Sequence, residues 1–214
     1  MCVTIEQLKN LSDTKYKLFN TKIVNTKQTL LGVRIPLLRD IAKKIIKTDP
    51  YRFIKSDKQN IYELILLEGF VISYLKDDLA VTMKLFENYL YKVDSWTEVD
   101  YPICSFKSIK SNKPFVWKIV KKWLKIDNEF IKRASLVVIL TYFIDDTYID
   151  EIFDISSKLD DSQYYVMMAN AWLISMCMVK YPSKTKEFLT LKKLDKTTQK
   201  KAIQKCKYRQ LRNL

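Results

Sequence analysis

Glycine and proline are scarce in this chain, and their scarcity limits the folds that are open to it. The 214 residues include two glycines, Gly32 and Gly69, and five prolines. Sheet proteins need many tight turns, and glycine and proline supply the backbone conformations that most of those turns require. A hydrophobic content of 48% argues against disorder, and the abundant Leu and Lys favour helices. The sequence therefore predicts an all-α protein.

Apolar residues recur at helical spacing along most of the chain and are separated by short polar joints. Long helices with short joints are typical of antiparallel helix pairs. Asp127 is predicted to cap one helix, and Asp145 or Asp146 the next. The predicted helices span 3–20, 36–46, 61–74, 77–90, 111–125, 129–143, 145–159 and 164–179, with three more that begin near Ser95, Pro182 and Asp195.

The stretch from Ser95 to Asp100 combines a helix start with two side chains of chemical interest. Ser95 and Glu98 have the spacing of a capping box. Trp96 and Asp100 are four residues apart and therefore share one face of the predicted helix. The two side chains can form a site; alternatively, the ring packs in the core while the acid favours the helix N-terminus. This stretch alone leaves both interpretations open.

Three residues recur at a spacing that indicates a repeat. From Trp96 to Arg133 is 37 residues, and from Arg133 to Trp172 is 39. Two-helix repeats of the HEAT type have a period of about 40 residues, and residues one period apart line one surface of the array. We therefore predict that the three residues face one concave surface. On composition alone Trp172 would instead be a core residue, because its helix is apolar.

Positive charge is large and unevenly distributed along the chain. The net charge of +14 comprises +6 in 1–50, −3 in 51–100, +7 in 101–135, −6 in 136–179 and +10 in 180–214. Basic segments of a repeating array can align into a stripe, which favours a polyanionic partner such as nucleic acid. A lysine-rich, solvated surface explains the same charge equally well.

Several classes of protein are disfavoured by what the chain lacks. It contains no histidine, which removes the commonest zinc ligand and the usual general base. Its four cysteines form no close pair, as expected for free thiols in a reducing compartment. The longest apolar stretch, 64–75, is interrupted by Glu68 and is too short to span a bilayer. With no secretory segment at the N-terminus, we expect a soluble cytoplasmic protein.

Four stretches together resemble the AlkD-type DNA alkylation repair proteins, which are alkylpurine DNA glycosylases built from HEAT-like repeats. No one of these motifs is specific by itself, but together they span most of the chain. They are Leu31-Gly32-Val33-Arg34-Ile35-Pro36-Leu37-Leu38-Arg39, Trp96-x-x-x-Asp100, Lys132-Arg133-Ala134, and Ala171-Trp172 leading to Tyr181-Pro182.

The resemblance implies a fold and a set of roles. The expected fold is one domain over residues 1–214, a right-handed solenoid of antiparallel helix pairs whose concave basic groove holds duplex DNA. Asp100 would be the catalytic carboxylate, Trp96 and Trp172 the aromatic walls beside the damaged nucleotide, and Arg133 a phosphate ligand. Further DNA contacts are expected from Lys132, Lys107, Lys110 and Arg34. No metal or cofactor is implied, and we expect a monomer.

The implied reaction is chemically consistent with these residues. A purine alkylated at N3 or N7 is cationic, so its glycosidic bond is already weak. Cleavage builds positive charge on the deoxyribose, as in glycoside hydrolysis. A carboxylate such as Asp100 stabilises that charge and orients the attacking water. Indole faces attract cationic groups by roughly 0.5–2 kcal/mol.

Some features of the sequence depart from the family pattern. Pro102 lies two residues after Asp100, where it is expected to kink the helix or force an irregular step. The run 173–178 after Trp172 is more apolar than in typical glycosylases of this kind. Fold alone does not secure activity, so a non-catalytic protein that binds branched or damaged DNA is the alternative. A protein-binding HEAT scaffold is the third option.

Three other residues are assigned structural roles. Trp117 and Trp123 match no motif and are interpreted as packing residues. Glu68 lies in an apolar helix and is predicted to be a buried acid that bonds to backbone or to an arginine rather than one that performs chemistry.

Overall fold

The computed structural model describes residues 4–212, with side chains described as far as Lys207. This part of the chain is all-α, as predicted, and contains 13 α-helices, one 3-10 helix and no β-strand. Two isolated bridges, Ser12 with Val33 and Thr29 with Ile61, are its only extended pairings. The predicted start of the first helix at Val3 lies outside the described residues.

The chain divides into two compact units, residues 1–112 (unit 1) and 113–214 (unit 2). The helices of unit 1 are α1 Ile5–Asn10, α2 Thr14–Ile23, α3 Ile35–Ile46, α4 Pro50–Lys55, α5 Tyr62–Tyr74, α6 Leu79–Leu90, α7 Trp96–Ser105 and the 3-10 helix Lys107–Asn112. Those of unit 2 are α8 Lys113–Trp123, α9 Glu129–Tyr142, α10 Ile149–Lys158, α11 Tyr164–Lys180, α12 Pro182–Thr190 and α13 Lys196–Arg212.

Within each unit, alternate helices of the chain pack side by side. In unit 1, α5 contacts α3 on one side and α7 on the other, while α4 and α6 also pack against it. In unit 2, α11 lies between α9 and α13 and also contacts α10 and α12. This neighbour pattern is that of stacked helix pairs. The solenoid, its groove and the single domain stay predictions.

Burial explains why α5, α9 and α11 are central to their units. Residues 62–73 of α5 and 131–140 of α9 are all buried, and most of α11 is as well. Trp117 and Trp123 are also buried, which confirms them as packing residues. In the described part of the chain, no helix is both long and apolar enough to cross a membrane.

The predicted helix 3–20 is two helices, because a contact from a distant loop interrupts it. Asp13 accepts a hydrogen bond on its carboxylate from the N–H of Tyr16 (2.9 Å) and so caps α2. The N–H of Asp13 itself donates to the carbonyl of Gly32 (2.9 Å). The loop that contains Gly32 therefore fixes where α2 begins, and the local periodicity could not reveal that contact.

Other helix starts also differ from the sequence-based prediction. Asn128, not Asp127, caps α9, since its side-chain oxygen accepts from the N–H groups of Phe130 and Ile131. No side-chain cap is present on α10, whose N-cap is Tyr148. Asp145 lies three residues earlier, and its carboxylate accepts from the Thr147 N–H (3.1 Å) and pairs with Lys113. The sequence analysis also missed α4, which begins at Pro50 and is capped by the Asp49 carboxylate.

Glu68 is buried as predicted, but its partners are lysines rather than backbone groups or an arginine. Its Oε1 lies 2.6 Å from Nζ of Lys92, and its Oε2 lies 3.2 Å from Nζ of Lys58. Lys58 is buried as well, and it also donates to the carbonyl of Phe53 (2.8 Å) at the end of α4. Burial lowers the pKa of Lys58 despite the nearby carboxylate. This cluster fixes α4 and the α6–α7 loop to α5.

Candidate active site

The N-terminus of α7 is capped as predicted, and Glu98 makes most of the cap. Ser95 and Glu98 form a capping box. Oε2 of Glu98 accepts from the N–H groups of Asp94 (3.1 Å) and Ser95 (3.0 Å) and from the Ser95 hydroxyl (2.8 Å). Trp96 is therefore held in the first helical turn, and Asp100 follows one turn later.

The helix continues through Pro102, because another residue replaces the hydrogen bond that proline cannot make. A helical residue 102 would donate its N–H to the carbonyl of Glu98, four residues earlier. Here the Tyr89 hydroxyl from α6 donates to that carbonyl instead (2.7 Å). Gly69 of α5 makes room for this arrangement, since a Cβ at position 69 would lie 2.6 Å from the Tyr89 ring and 2.7 Å from Cγ of Pro102. Asp100 consequently lies in an uninterrupted helix.

Trp96 and Asp100 lie on the less buried face of α7. Thr97, Glu98 and Val99 are almost fully buried, whereas Trp96 is half-buried and Cys104 is exposed. Asp100 lies between Trp96 and Cys104 at spacings of four residues, so the three share a face. The carboxylate residue is 5% exposed. Trp96 is therefore not a core residue, whereas Asp100 is largely buried on the same face.

The helix α2 fixes the Trp96 indole. Its Nε1 donates to the carbonyl of Ile23, the last residue of α2 (3.2 Å). The indole also contacts the ring of Tyr101, with ring centroids 6.3 Å apart. These two contacts determine the position of the indole beside Asp100.

Three further residues belong to this region, and the sequence analysis did not identify them as site residues. Burial first, and then the charge of Asp100, raise the pKa of Tyr101, while Arg39 opposes that effect. Arg39 stacks over the ring of Phe70 at 5.3 Å, and its buried Nε has no hydrogen-bond partner. The third residue is Tyr16 of α2, whose pKa is raised by burial and then by Tyr101. No spacing rule connects these residues, because they come from α2, α3 and α7.

The motif at 31–39 is an inter-helix joint over 31–34 and the first turns of α3 over 35–39. The buried carboxylate of Glu63 holds the joint by accepting from the N–H groups of Leu31 (2.9 Å), Gly32 (2.7 Å) and Val33 (3.3 Å). Gly32 has a φ of +96°, and a Cβ there would lie 2.6 Å from Cβ of Lys17. Glycine is therefore required at this position.

Arg34 follows this joint and is exposed. Its guanidinium lies 2.7 Å from the Asp13 carboxylate and 5.1 Å from the centroid of the Tyr16 ring. The hydrogen bond from the N–H of Tyr16, followed by the one from Arg34, lowers the pKa of Asp13. Arg34 thus lies in the same unit as Trp96 and Asp100 and beside Tyr16.

The other basic residues predicted to contact DNA differ in accessibility. Lys107 and Lys110 are exposed on the 3-10 helix of unit 1. Lys132 and Arg133 of α9 are largely buried, at 8% and 5% exposure. Nζ of Lys132 lies 3.8 Å from Asp127 and 3.9 Å from Asp160. Exposed lysines are available to phosphates directly, whereas Lys132 and Arg133 present only a small part of their surface.

Arg133 is held in place by α11. One guanidinium nitrogen donates to the carbonyl of Tyr165 (3.0 Å), and the guanidinium lies 5.9 Å from the centroid of the Tyr165 ring. The Tyr165 N–H in turn donates to Glu129 of α9 (2.7 Å). These contacts fix the direction of Arg133 before any ligand is bound.

Trp172 of α11 is half-buried, although its neighbours Ala171 and Leu173 are fully buried. It is therefore not part of the interior of unit 2. Trp172 and Arg133 belong to helices that pack against each other within that unit.

The repeat spacing predicted from the sequence needs a correction of register. The helices α7, α9 and α11 begin at residues 96, 129 and 164, so their starts are 33 and 35 residues apart. Trp96 is the first residue of its helix, Arg133 the fifth and Trp172 the ninth. Four residues make about one helical turn. The three residues therefore do not occupy equivalent positions, because each lies about one turn further from the start of its helix than the one before.

Each unit thus brings together one part of the predicted site. Trp96 and Asp100 share a face in unit 1, and Arg133 and Trp172 lie on adjacent helices of unit 2. Among the described residues, no group of three or more Cys, Asp or Glu residues is arranged to hold a metal ion.

Comparison with known proteins places the chain in a family. No curated protein matches it significantly. The family model described as DNA alkylation repair enzyme matches residues 4–206, which is nearly the whole chain and includes every residue of the predicted site. The chain therefore belongs to the DNA alkylation repair enzyme family.

Proposed function

We propose that the protein is a monofunctional DNA glycosylase that hydrolyses the N-glycosidic bond of N3- or N7-alkylated purines in duplex DNA. Membership of a DNA alkylation repair family supports the substrate class. The observation that carries the proposal is the face of α7 on which the half-buried Trp96 and the largely buried Asp100 lie one turn apart, next to the exposed Cys104.

In the proposed reaction Asp100 acts on the sugar, not on the base. The bond between C1′ and the alkylated purine breaks, and the bonding electrons leave with the base, which becomes neutral. Positive charge develops on C1′ and the ring oxygen of the deoxyribose, and the Asp100 carboxylate stabilises it. Water then adds to C1′, and its proton passes to Asp100 or to solvent.

The other residues have positioning and binding roles in this proposal. Trp96 supplies an aromatic surface for the cationic nucleotide, and the bond to Ile23 and the contact with Tyr101 fix its plane. Trp172 supplies the second aromatic wall. Arg133 binds a phosphate next to the lesion, since a guanidinium matches phosphate geometry. Lys107, Lys110, Lys132 and Arg34 provide further backbone contacts, which are salt-dependent.

Substitution of Asp100 tests this mechanism. We expect Asp100→Asn to reduce release of 7-methylguanine from methylated duplex DNA by at least about 100-fold, because the amide cannot neutralise the developing charge. Binding to the same duplex should be retained. The assay is single-turnover base release with saturating protein, followed by chromatography of the free bases. Glu187→Asn, at an exposed acid of α12, is the control and should release base at the wild-type rate.

The principal alternative is a non-catalytic protein that binds branched or damaged DNA. The apolar run after Trp172, which includes the fully buried Leu173, Ile174 and Cys177, favours this alternative because it departs from the glycosylase pattern. Tight, salt-sensitive DNA binding by the wild type without any base release would support it. Equal base release by the wild type and Asp100→Asn would remove Asp100 from the mechanism.

A further inference from the structure

Arg39, the last residue of the motif at 31–39, carries a buried polar atom that has no partner. The residue lies in the second turn of α3, and its side chain is half-buried. Its Nε is buried, and among the residues that the structure describes it has no hydrogen-bond acceptor. Buried donors are normally paired, and an unpaired one destabilises the fold. An arginine at this position therefore requires an explanation.

The Arg39 guanidinium lies in the part of unit 1 that contains the candidate site. Its central carbon is 5.3 Å from the ring centroid of Phe70 on α5, and α5 packs between α3 and α7. Burial and the charge of Asp100 raise the pKa of Tyr101 on α7, whereas the charge of Arg39 lowers it. The same Tyr101 ring contacts the Trp96 indole. The charges of Arg39 and Asp100 therefore act on one residue, which lies beside Trp96.

The other two arginines of the predicted site are held by acceptors of the protein itself. The guanidinium of Arg34 lies 2.7 Å from the Asp13 carboxylate, and that of Arg133 donates to the Tyr165 carbonyl (3.0 Å). In the described part of the chain, the Arg39 guanidinium stacks on an aromatic ring but makes no hydrogen bond or ion pair. Its positive charge therefore has no counter-ion there.

We propose that Arg39 binds a phosphate of the DNA backbone next to the lesion. A guanidinium presents a fork of two parallel N–H groups that matches the oxygens of a phosphate. Stacking on Phe70 fixes the plane of the guanidinium before DNA binds. The terminal nitrogens are not among the buried unpaired atoms, so they are the part of the group that a ligand can reach. This role rests on the proposed function for its ligand, duplex DNA, but not for base release.

A purely structural role does not account for an arginine at this position. A methionine of similar length would also pack against Phe70, and it would remove the unpaired Nε. The fold alone therefore gives no reason for a guanidinium here. An external anion does, because it pairs the charge that the described residues leave without a counter-ion.

The salt dependence of DNA binding tests this role. The probe is a duplex with a tetrahydrofuran residue in place of the damaged nucleotide, and fluorescence anisotropy follows its binding between about 50 and 200 mM NaCl. We expect Arg39→Met to weaken binding about 10-fold and to lower the slope of log Kd against log salt by about 0.9, because one phosphate contact is lost. Arg39→Lys keeps the charge but not the fork, so it should retain the wild-type slope and lose less affinity.

Arg52→Met is the matched control for these measurements. It makes the same chemical change at an exposed arginine of α4, and we expect it to keep the affinity and the slope of the wild type. Equal slopes in the wild type and Arg39→Met overturn the proposal. A slope that falls by the same amount in Arg39→Met and Arg52→Met also overturns it, because the effect would then be one of general charge.

Neutral phosphate analogues locate the contact. Duplexes that carry a single methylphosphonate are compared at successive positions around the tetrahydrofuran residue. We expect one position at which the wild type loses affinity and Arg39→Met loses none, since both changes remove the same contact. Arg52→Met should lose as much as the wild type at every position. Additive losses at all positions contradict a contact between Arg39 and phosphate.

Thermal unfolding without DNA separates this binding role from a structural one. Because methionine removes a buried donor that has no partner, the unfolding midpoint of Arg39→Met should equal or exceed that of the wild type. A lowered midpoint with an unchanged salt slope assigns Arg39 to the fold and overturns the proposal. A lowered slope in Arg39→Met without base release by the wild type contradicts the glycosylase activity alone, whereas base release with an unchanged slope contradicts the role of Arg39 alone.

Discussion

Units 1 and 2 are both built from packed helices, but different kinds of side chain hold the helices and loops of each unit together. Unit 1 buries the three glutamates Glu63, Glu68 and Glu98. In the described part of unit 2, no Asp or Glu residue is buried. Unit 1 carries 18 basic and 13 acidic residues (net +5), whereas unit 2 carries 20 and 11 (net +9). Unit 1 therefore contains every buried glutamate of the described residues, although it has the lower net charge.

Each buried glutamate of unit 1 attaches a loop to the helix that carries it. Glu63 binds the N–H groups of 31–33, Glu68 binds Lys58 and Lys92, and Glu98 binds the α6–α7 loop. Backbone N–H groups of loops lack partners of their own, and a carboxylate is a strong acceptor for several of them.

Unit 2 relies on apolar packing and on hydrogen bonds to the partly exposed carboxylate of Asp161. The buried Asn170 of α11 donates to Asp161 (2.9 Å) and to the carbonyl of Ser156 (3.2 Å). The Thr198 hydroxyl at the start of α13 donates to the same Asp161 carboxylate (2.7 Å). The two units therefore differ in the burial of these acids: the three glutamates that hold the loops of unit 1 are almost fully buried, whereas Asp161 is partly exposed.

Substitution of Glu63 should give the largest effect of this comparison. Glu63→Leu leaves three buried N–H groups without an acceptor, so we expect a loss of about 3–5 kcal/mol in the free energy of unfolding. Glu129→Leu in unit 2 removes one acceptor, that of the Tyr165 N–H, and should cost about 1 kcal/mol. Urea denaturation followed by circular dichroism measures both. Equal losses would mean that buried acids do not distinguish the units.

Gly69→Ala should have an intermediate effect. Alanine normally stabilises a helix relative to glycine, but here the added Cβ would overlap the Tyr89 ring and Pro102. We expect a net loss of about 1–3 kcal/mol from this overpacking. Ser73→Ala, one turn further along α5, is the control and should cost less. A stabilised Gly69→Ala protein would show that α7 can move away from α5 without strain.

The smallest effect is expected at an exposed ion pair of unit 2. Nζ of Lys184 lies 2.9 Å from the Asp150 carboxylate, and both side chains are at least half exposed. Such pairs contribute about 0–0.5 kcal/mol, so Lys184→Ala should leave the denaturation midpoint almost unchanged. Lys186→Ala, at an exposed lysine of the same helix, is the matched control. A loss above about 1 kcal/mol at Lys184 alone would show that unit 2 also depends on charge.

The sequence was a reliable guide where the governing contacts are local. The Ser95–Glu98 capping box, the Asp195 cap of α13 and the start of α12 at Pro182 all agree with the structure. These signals depend on residues within about one turn of each other. The family resemblance was also correct, because it combined four motifs spread over most of the chain.

The neighbours of the candidate site were not predictable in this way. Tyr16 and Arg39 belong to helices far from Trp96 in the sequence, and only the tertiary structure brings them into the same unit as Trp96. The same reason explains the missed break between α1 and α2, which depends on the Asp13–Gly32 hydrogen bond. The convergence of Trp96, Asp100, Arg133 and Trp172 on one surface stays a prediction.

The sequence by itself determined the helical class, most helix starts and the face shared by Trp96 and Asp100, because each depends on spacing along one helix. Only the tertiary structure decided that Tyr89 completes the helix at Pro102 and that Gly69 leaves room for it. Such contacts join atoms from different helices, and no local pattern of residues encodes their distances.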